Sequence, residues 1–176
     1  TYIYPQLFSV LTGARIKLVL GYRGTANMTV AMERGEVYGR GGSYMSWSAL
    51  HPDWIRDRKV IFLGQAGLNK HPDLPDVPLL QELATTPDEK AVVHLLSLPF
   101  LTSRAFAFPP GVPEDRVAAL RAAFDATIKD PDLLADAKKR RMSIAPSTGQ
   151  EVEASIADMF KVSKEVVARA HEMLKF

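Results

Sequence analysis

Residues 20–43 read LGYRGTANMTVAMERGEVYGRGGS, and the placing of glycine in this stretch decides how the chain is read. Gly24 follows an apolar run, Gly35 closes the segment after it, and Gly39, Gly41 and Gly42 surround Arg40. Thr25 or Asn27 can cap a short helix that runs to Arg34 and stops at Gly35. Three chemistries fit flexible backbone at these points: a phosphate loop, two backbone rims around a small anion, or ordinary turns. A phosphate loop needs a lysine followed by Ser or Thr after its second glycine, and Gly42-Ser43 is followed by Tyr44. The Gly-x-Gly-x-x-Gly spacing of a dinucleotide fingerprint is also missing. Backbone N–H groups at a helix start bind anions without any lysine, and glycine lets a ligand approach the main chain. The anion reading therefore ranks ahead of turns, with Tyr22, Arg23, Gly24 and Thr25 on one rim and Arg40, Gly41, Gly42 and Ser43 on the other.

Outward from this stretch, apolar runs and caps suggest an alternating chain. Helices are expected over 2–11, 25–34, 77–83, 86–98, 113–128 and 130–141, with two more after Thr148 and towards Leu174. Thr86-Pro87-Asp88-Glu89 and Thr148 with Glu151 are capping boxes. A buried strand is expected at Arg15 to Tyr22, and further strands at Val37 to Met45, Val60 to Gln65 and Arg104 to Phe108, with a short one at 142–145. Strands alternating with helices at this spacing define an α/β fold with a mainly parallel core. In such sheets ligands gather at the carboxyl ends of strands, where both glycine loops would lie.

The composition narrows function by exclusion. The 176 residues are 47% hydrophobic and 24% charged, within the range of globular domains. A formal net charge of +2 gives no footprint for nucleic acid or an anionic membrane. Lys138-Lys139-Arg140-Arg141 sits at a helix end, where cations complement the dipole. With no cysteine, thiolate metal sites and cysteine nucleophiles are excluded. His51 and His71 each open a His-Pro-Asp turn, His94 and His171 fall in expected helices, and no metal-ligand spacing is visible. Ser43 lacks a nucleophile elbow. Trp47 and Trp54 read as packing residues. No catalytic set, metal site or cofactor motif is expected. Residues 1–8 show neither an initiator methionine nor a signal-peptide pattern, and read as a helix start without its cap. The chain is expected to be a portion of something longer.

Three stretches, taken together and in order, resemble the substrate-binding proteins of tripartite tricarboxylate transporters, the Bug receptors. GYRGTANMTVAMERGEVYG resembles their Tyr-Lys-Gly segment, and HPDLPDVPLLQEL their Leu-Pro-Asp-Val-Pro connection. The stretch from Phe106 to Val152 is similar to their Ala-Pro-x-Gly-x-Pro tail. The resemblance implies a type II periplasmic binding protein fold of two lobes, represented here by a fragment. Residues 1–103 would be most of the second ligand-binding lobe, and 104–176 a hinge crossing with elements returning to the first. It implies capture of a small organic carboxylate in the periplasm, delivery to membrane permease subunits, and no enzymatic activity.

The family's helix-capping turn would survive here only as Thr1, while its Tyr-Lys-Gly loop maps to Tyr22, Arg23 and Gly24, offering main-chain groups. Tyr38 stands where the family has aspartate, and Gly42 where a second acid can sit, which disfavours amino-bearing ligands and favours a plain carboxylate. Residues 84–103 exceed the family pattern. On this division, the helix face of Val117, Leu120, Phe124 and Ile128 would lack cover, favouring either a homodimer through the carboxyl-terminal helices or retention of the missing portion. A transferase-type α/β enzyme with its catalytic residues elsewhere, or a ligand-sensing subunit, are the alternative functions.

Overall fold

The computed structural model describes residues 2–102, 104–140, 142 and 144–175. In chain order its helices are α1 (Ile3–Thr12), α2 (Thr25–Glu33), α3 (Tyr44–Leu50), α4 (Pro52–Arg56), α5 (Leu80–Leu83) and α6 (Pro87–Ser97). They continue as α7 (Pro99–Thr102), α8 (Glu114–Thr127), α9 (Pro131–Lys139), α10 (Gly149–Lys161) and α11 (Lys164–Met173). Of the described residues, 56% are helical and 1% strand.

The end signals act as their chemistry dictates. Gly13 ends α1 at φ 70° and Gly35 follows α2 at φ 72°, a conformation that glycine adopts without a β-carbon clash. At α6, Thr86 Oγ1 accepts from the Glu89 amide (3.2 Å), while Glu89 accepts from the amides of Thr85 (2.7 Å) and Thr86 (3.0 Å). Thr148 and Glu151 make the same reciprocal pair at α10. Asp130 caps α9, and Ser163 caps α11.

The α/β, two-lobed periplasmic-binding fold expected from the sequence is corrected: among the described residues there is no sheet. The only β-type pairing among them is an isolated parallel bridge between Gln65 and Leu79. Residues 15–22, 37–43 and 104–108 form no strand, Tyr44 and Met45 are helical, and Ser143 lies outside the described residues. The physical reason lies in what an apolar run reports. It signals a demand for burial, while a strand also needs a neighbour to take its amides and carbonyls. Here the runs form no ladder beyond the Gln65–Leu79 bridge and stay largely open: Leu20 is 62% exposed, Ile61 82% and Phe106 84%.

The chain divides into two compact units, Thr1–Ser97 with Val162–Phe176, and Leu98–Lys161. The first has a helical core in which Leu7 from α1 meets Leu80 from α5, Val92 and Val93 from α6, and Ala170 and Met173 from α11. Tyr4 adds a hydrogen bond to the Leu96 carbonyl (3.1 Å), and burial pushes its phenol pKa up. In the second unit α7 packs on α10, and Ser155 Oγ donates to the Leu98 carbonyl at 3.5 Å. Leu120 and Phe124 of α8 stay exposed at 52% and 37%.

Candidate functional site

Arg40 is where the glycine-rich segment acquires a geometry. Helix α2 carries Thr29, one turn in from its start and 4% exposed. Helix α3 begins at the Ser43 cap, whose Oγ accepts from the Ser46 amide (3.3 Å), and so brings Trp47, 5% exposed, to the same place. The Arg40 side chain lies between these two residues. Its Nε donates to Thr29 Oγ1 at 3.0 Å, and Thr29 Oγ1 donates in turn to the Thr25 carbonyl at 3.0 Å. The guanidinium carbon stands 3.7 Å from the centroid of the Trp47 ring, a cation–π stack.

The far end of this guanidinium is unusual. Nη1 and Nη2 are both shielded from solvent and neither has an acceptor. The side chain as a whole is only half-buried, so the shielding is local to its tip. Among the described residues no ion pair involves Arg40, and burial alone lowers its pKa. Buried polar groups in native proteins almost always find partners, and a shielded charge without one is costly.

Gly42 bears directly on it. A β-carbon at position 42 would collide with Arg40 Nη1 and lie 3.7 Å from Cζ and 3.6 Å from Ser46 Oγ. With glycine there, the Arg40 tip packs where a side chain would otherwise begin. Ser46 Oγ is already committed, donating to the Ser43 carbonyl at 2.8 Å.

Of the residues expected from sequence, Arg40, Gly42 and Ser43 come together here, and Gly41 lies half-buried between them. Gly24 caps α2 through its carbonyl, which accepts from Met28 (3.2 Å), and Thr25 enters the cluster only through its carbonyl. Tyr22 is half-buried and Arg23 exposed, with no hydrogen bond from residues 22–24 to residues 40–43. Thr1 lies outside the described residues. Thr29 and Trp47 were missed as site residues; the signal for α3 was Ser43 as a cap ahead of Trp47 and Leu50 at helical spacing.

Trp47 also belongs to an aromatic group, 6.2 Å from Trp54 and 6.1 Å from Phe62 between ring centroids. Tyr44 stacks on His71 at 4.4 Å, and burial, followed by the charge and hydrogen bond of Asp73, raises its pKa. His71 Nδ1 accepts from the Asp73 amide (3.2 Å), which is the turn chemistry expected of His-Pro-Asp. An open cleft of about 450 Å³ borders Trp54, Tyr38 and Lys59, but none of the expected binding residues lines it. Among the described residues no group of His, Asp or Glu is arranged to hold a metal ion, and no helix is long and apolar enough to cross a membrane.

No protein family, no curated protein and no solved structure matches the chain.

Proposed function

We propose that this chain is a binding module for a small organic carboxylate, with Arg40 as its anchoring cation. The observation that carries the reading is the Arg40 tip, whose Nη1 and Nη2 are shielded and lack acceptors beside a glycine turn. A carboxylate accepts two parallel N–H bonds from such a fork, the geometry in which arginine exceeds lysine. The ordered resemblance to tripartite tricarboxylate transporter receptors supplies the context: capture of the carboxylate in the periplasm and delivery to membrane permease subunits, without chemical turnover. The preference for a plain carboxylate over an amino-bearing ligand fits the absence of an acid at positions 38 and 42.

The test is a thermal-shift and calorimetric screen against mono-, di- and tricarboxylates, with Arg40→Met alongside. A ligand at 100 times its dissociation constant stabilises the folded state by about 2.7 kcal/mol. The expected result is a shift with at least one carboxylate that Arg40→Met removes. No shift with any carboxylate would overturn the reading.

A further inference from the structure

We propose that the cleft between the carboxyl-terminal ends of α2 and α4 binds a second ligand, a small zwitterion of the α-amino acid type with an apolar side chain. The cleft shares no residue with the Arg40 cluster, so this site stands whether or not Arg40 holds a carboxylate.

Two helices end at this cleft in the same way. After α2, the Gly35 amide donates to the Met32 carbonyl (3.0 Å) and the Glu36 amide to the Ala31 carbonyl (2.9 Å). After α4, the Arg58 amide donates to the Ile55 carbonyl (3.2 Å) and the Lys59 amide to the Trp54 carbonyl (2.8 Å). Each pair is a Schellman closure, which turns the chain through one left-handed residue. That residue is Gly35 at φ 72° in the first and Arg58 at φ 53° in the second. Arg58 is the one non-glycine residue with positive φ among the described residues, so the turn that delivers Lys59 to the cleft is held against backbone strain.

The two closures border an open cleft of about 450 Å³, a size that suits a small organic ligand. Met32 and Val60, both half-buried, give it an apolar lining, and Trp54 gives it an aromatic wall. The Trp54 ring is fixed by His51 at 4.8 Å and Trp47 at 6.2 Å between centroids. Tyr38 stands at the cleft 99% exposed. A ring left wholly in water adds nothing to the core and is free to lie over a bound apolar group.

Charge selects the ligand. Glu33 lies in the last turn of α2, where the helix dipole favours a cation and opposes a carboxylate. Among the described residues no ion pair relieves it, and its neighbour Arg34 is engaged by Glu36 at 3.8 Å. Lys59 lines the same cleft and reaches only Asp57, at 3.9 Å. An acid and a base therefore border one apolar cleft without pairing to each other. A ligand that brings an ammonium to Glu33 and a carboxylate to Lys59 satisfies both, and its side chain covers Trp54.

The experiment follows the Trp54 indole N–H and the Val60 amide by NMR at about pH 7.5, where free histidine is neutral. The chain is titrated with L-phenylalanine, with phenethylamine and with phenylpropionate. Shifts read at the cleft do not count a carboxylate held at Arg40. Phenylalanine should saturate the shifts and bind about three- to tenfold more tightly than either analogue, each of which lacks one charge. Glu33→Gln should remove its advantage over phenylpropionate, and Lys59→Met its advantage over phenethylamine. Tyr38→Ala should weaken phenylalanine binding while urea unfolding stays unchanged, as expected of a fully exposed residue. No saturable shift at Trp54, equal affinity for the three compounds, or a ranking that the two charge variants leave unaltered overturns the proposal. A failed carboxylate screen overturns the Arg40 reading and leaves this one standing.

Discussion

The guanidinium carbon of Arg40 lies 3.7 Å from the centre of the Trp47 indole, while the two terminal nitrogens beyond it have no acceptor. On the proposed carboxylate reading, stability and binding pull this residue in opposite directions. The stack contributes about 0.5–2 kcal/mol, and the Thr29 bond about 1.5–3 because the donor is charged. Each shielded donor left unsatisfied costs about 1–3 kcal/mol or more. Arg40→Met keeps the apolar stem over Trp47 and removes both unsatisfied donors, at the loss of the Thr29 bond. The expected outcome is a protein within about 1 kcal/mol of the parent in urea unfolding, yet without carboxylate affinity in calorimetry.

At the start of α6, Glu89 accepts from the amides of Thr85 and Thr86, and these bonds hold its pKa below the ordinary glutamate range. For an acid with a depressed folded pKa, the stabilisation is full above its unfolded value. It is lost as pH falls through the folded one. Glu89→Gln keeps an acceptor oxygen but cannot titrate. Protection of the Thr85 and Thr86 amides, taken relative to their intrinsic exchange at each pH, should fall below the glutamate range in the parent and stay constant in the variant. Parallel behaviour of the two proteins would show that this cap is not formed in solution.

Two apolar residues that look alike in sequence should respond oppositely to truncation. Leu7 is fully buried among α1, α5, α6 and α11, and Leu7→Ala is expected to destabilise by about 2–5 kcal/mol. Ile61 belongs to the apolar run expected as a strand but is 82% exposed, so Ile61→Ser should stay within about 0.5 kcal/mol. Urea midpoints compare them directly. A large loss at Ile61 would mean that residues 60–65 are covered after all.

This contrast explains how much of the fold was legible. Helix termini are written locally, in Thr86 with Glu89, Thr148 with Glu151, Asp130-Pro131 and Gly13, and these were read correctly because each cap is satisfied within a few residues. Sheet formation is non-local, so Val60 to Leu63 could state an appetite for burial without revealing that no strand pairs with them. The site was half legible for the same reason. Glycine around Arg40 pointed to close approach of the main chain, whereas Thr29 and Trp47 enter through α2 and α3 and only the folded chain brings them to the guanidinium.

In sequence Gln65 only ends an expected strand, yet its side chain organises the Pro-rich connection that follows. Nε2 donates to the carbonyls of Leu74 (2.9 Å) and Val77 (2.8 Å), and Oε1 accepts from the His71 amide (2.8 Å). Its main chain adds bonds to Pro78 and Leu80, so one residue holds both ends of the loop. Gln65→Ala leaves two carbonyls and an amide to part-buried surroundings, an expected loss of about 1–3 kcal/mol, with faster amide exchange at His71. Gln65→Glu is the sharper variant. It can still accept from His71 but turns a carboxylate towards two carbonyl oxygens, which favours the protonated form and raises the folded pKa. For an acid raised in this way, stability is lowest at neutral pH and recovers as pH falls through the folded value. Gln65→Glu should therefore gain relative to Gln65→Ala on acidification, and both should respond to carboxylates as the parent does, since Arg40, Thr29 and Trp47 are untouched. Identical pH profiles for the two variants would remove Gln65 as the organiser of this loop.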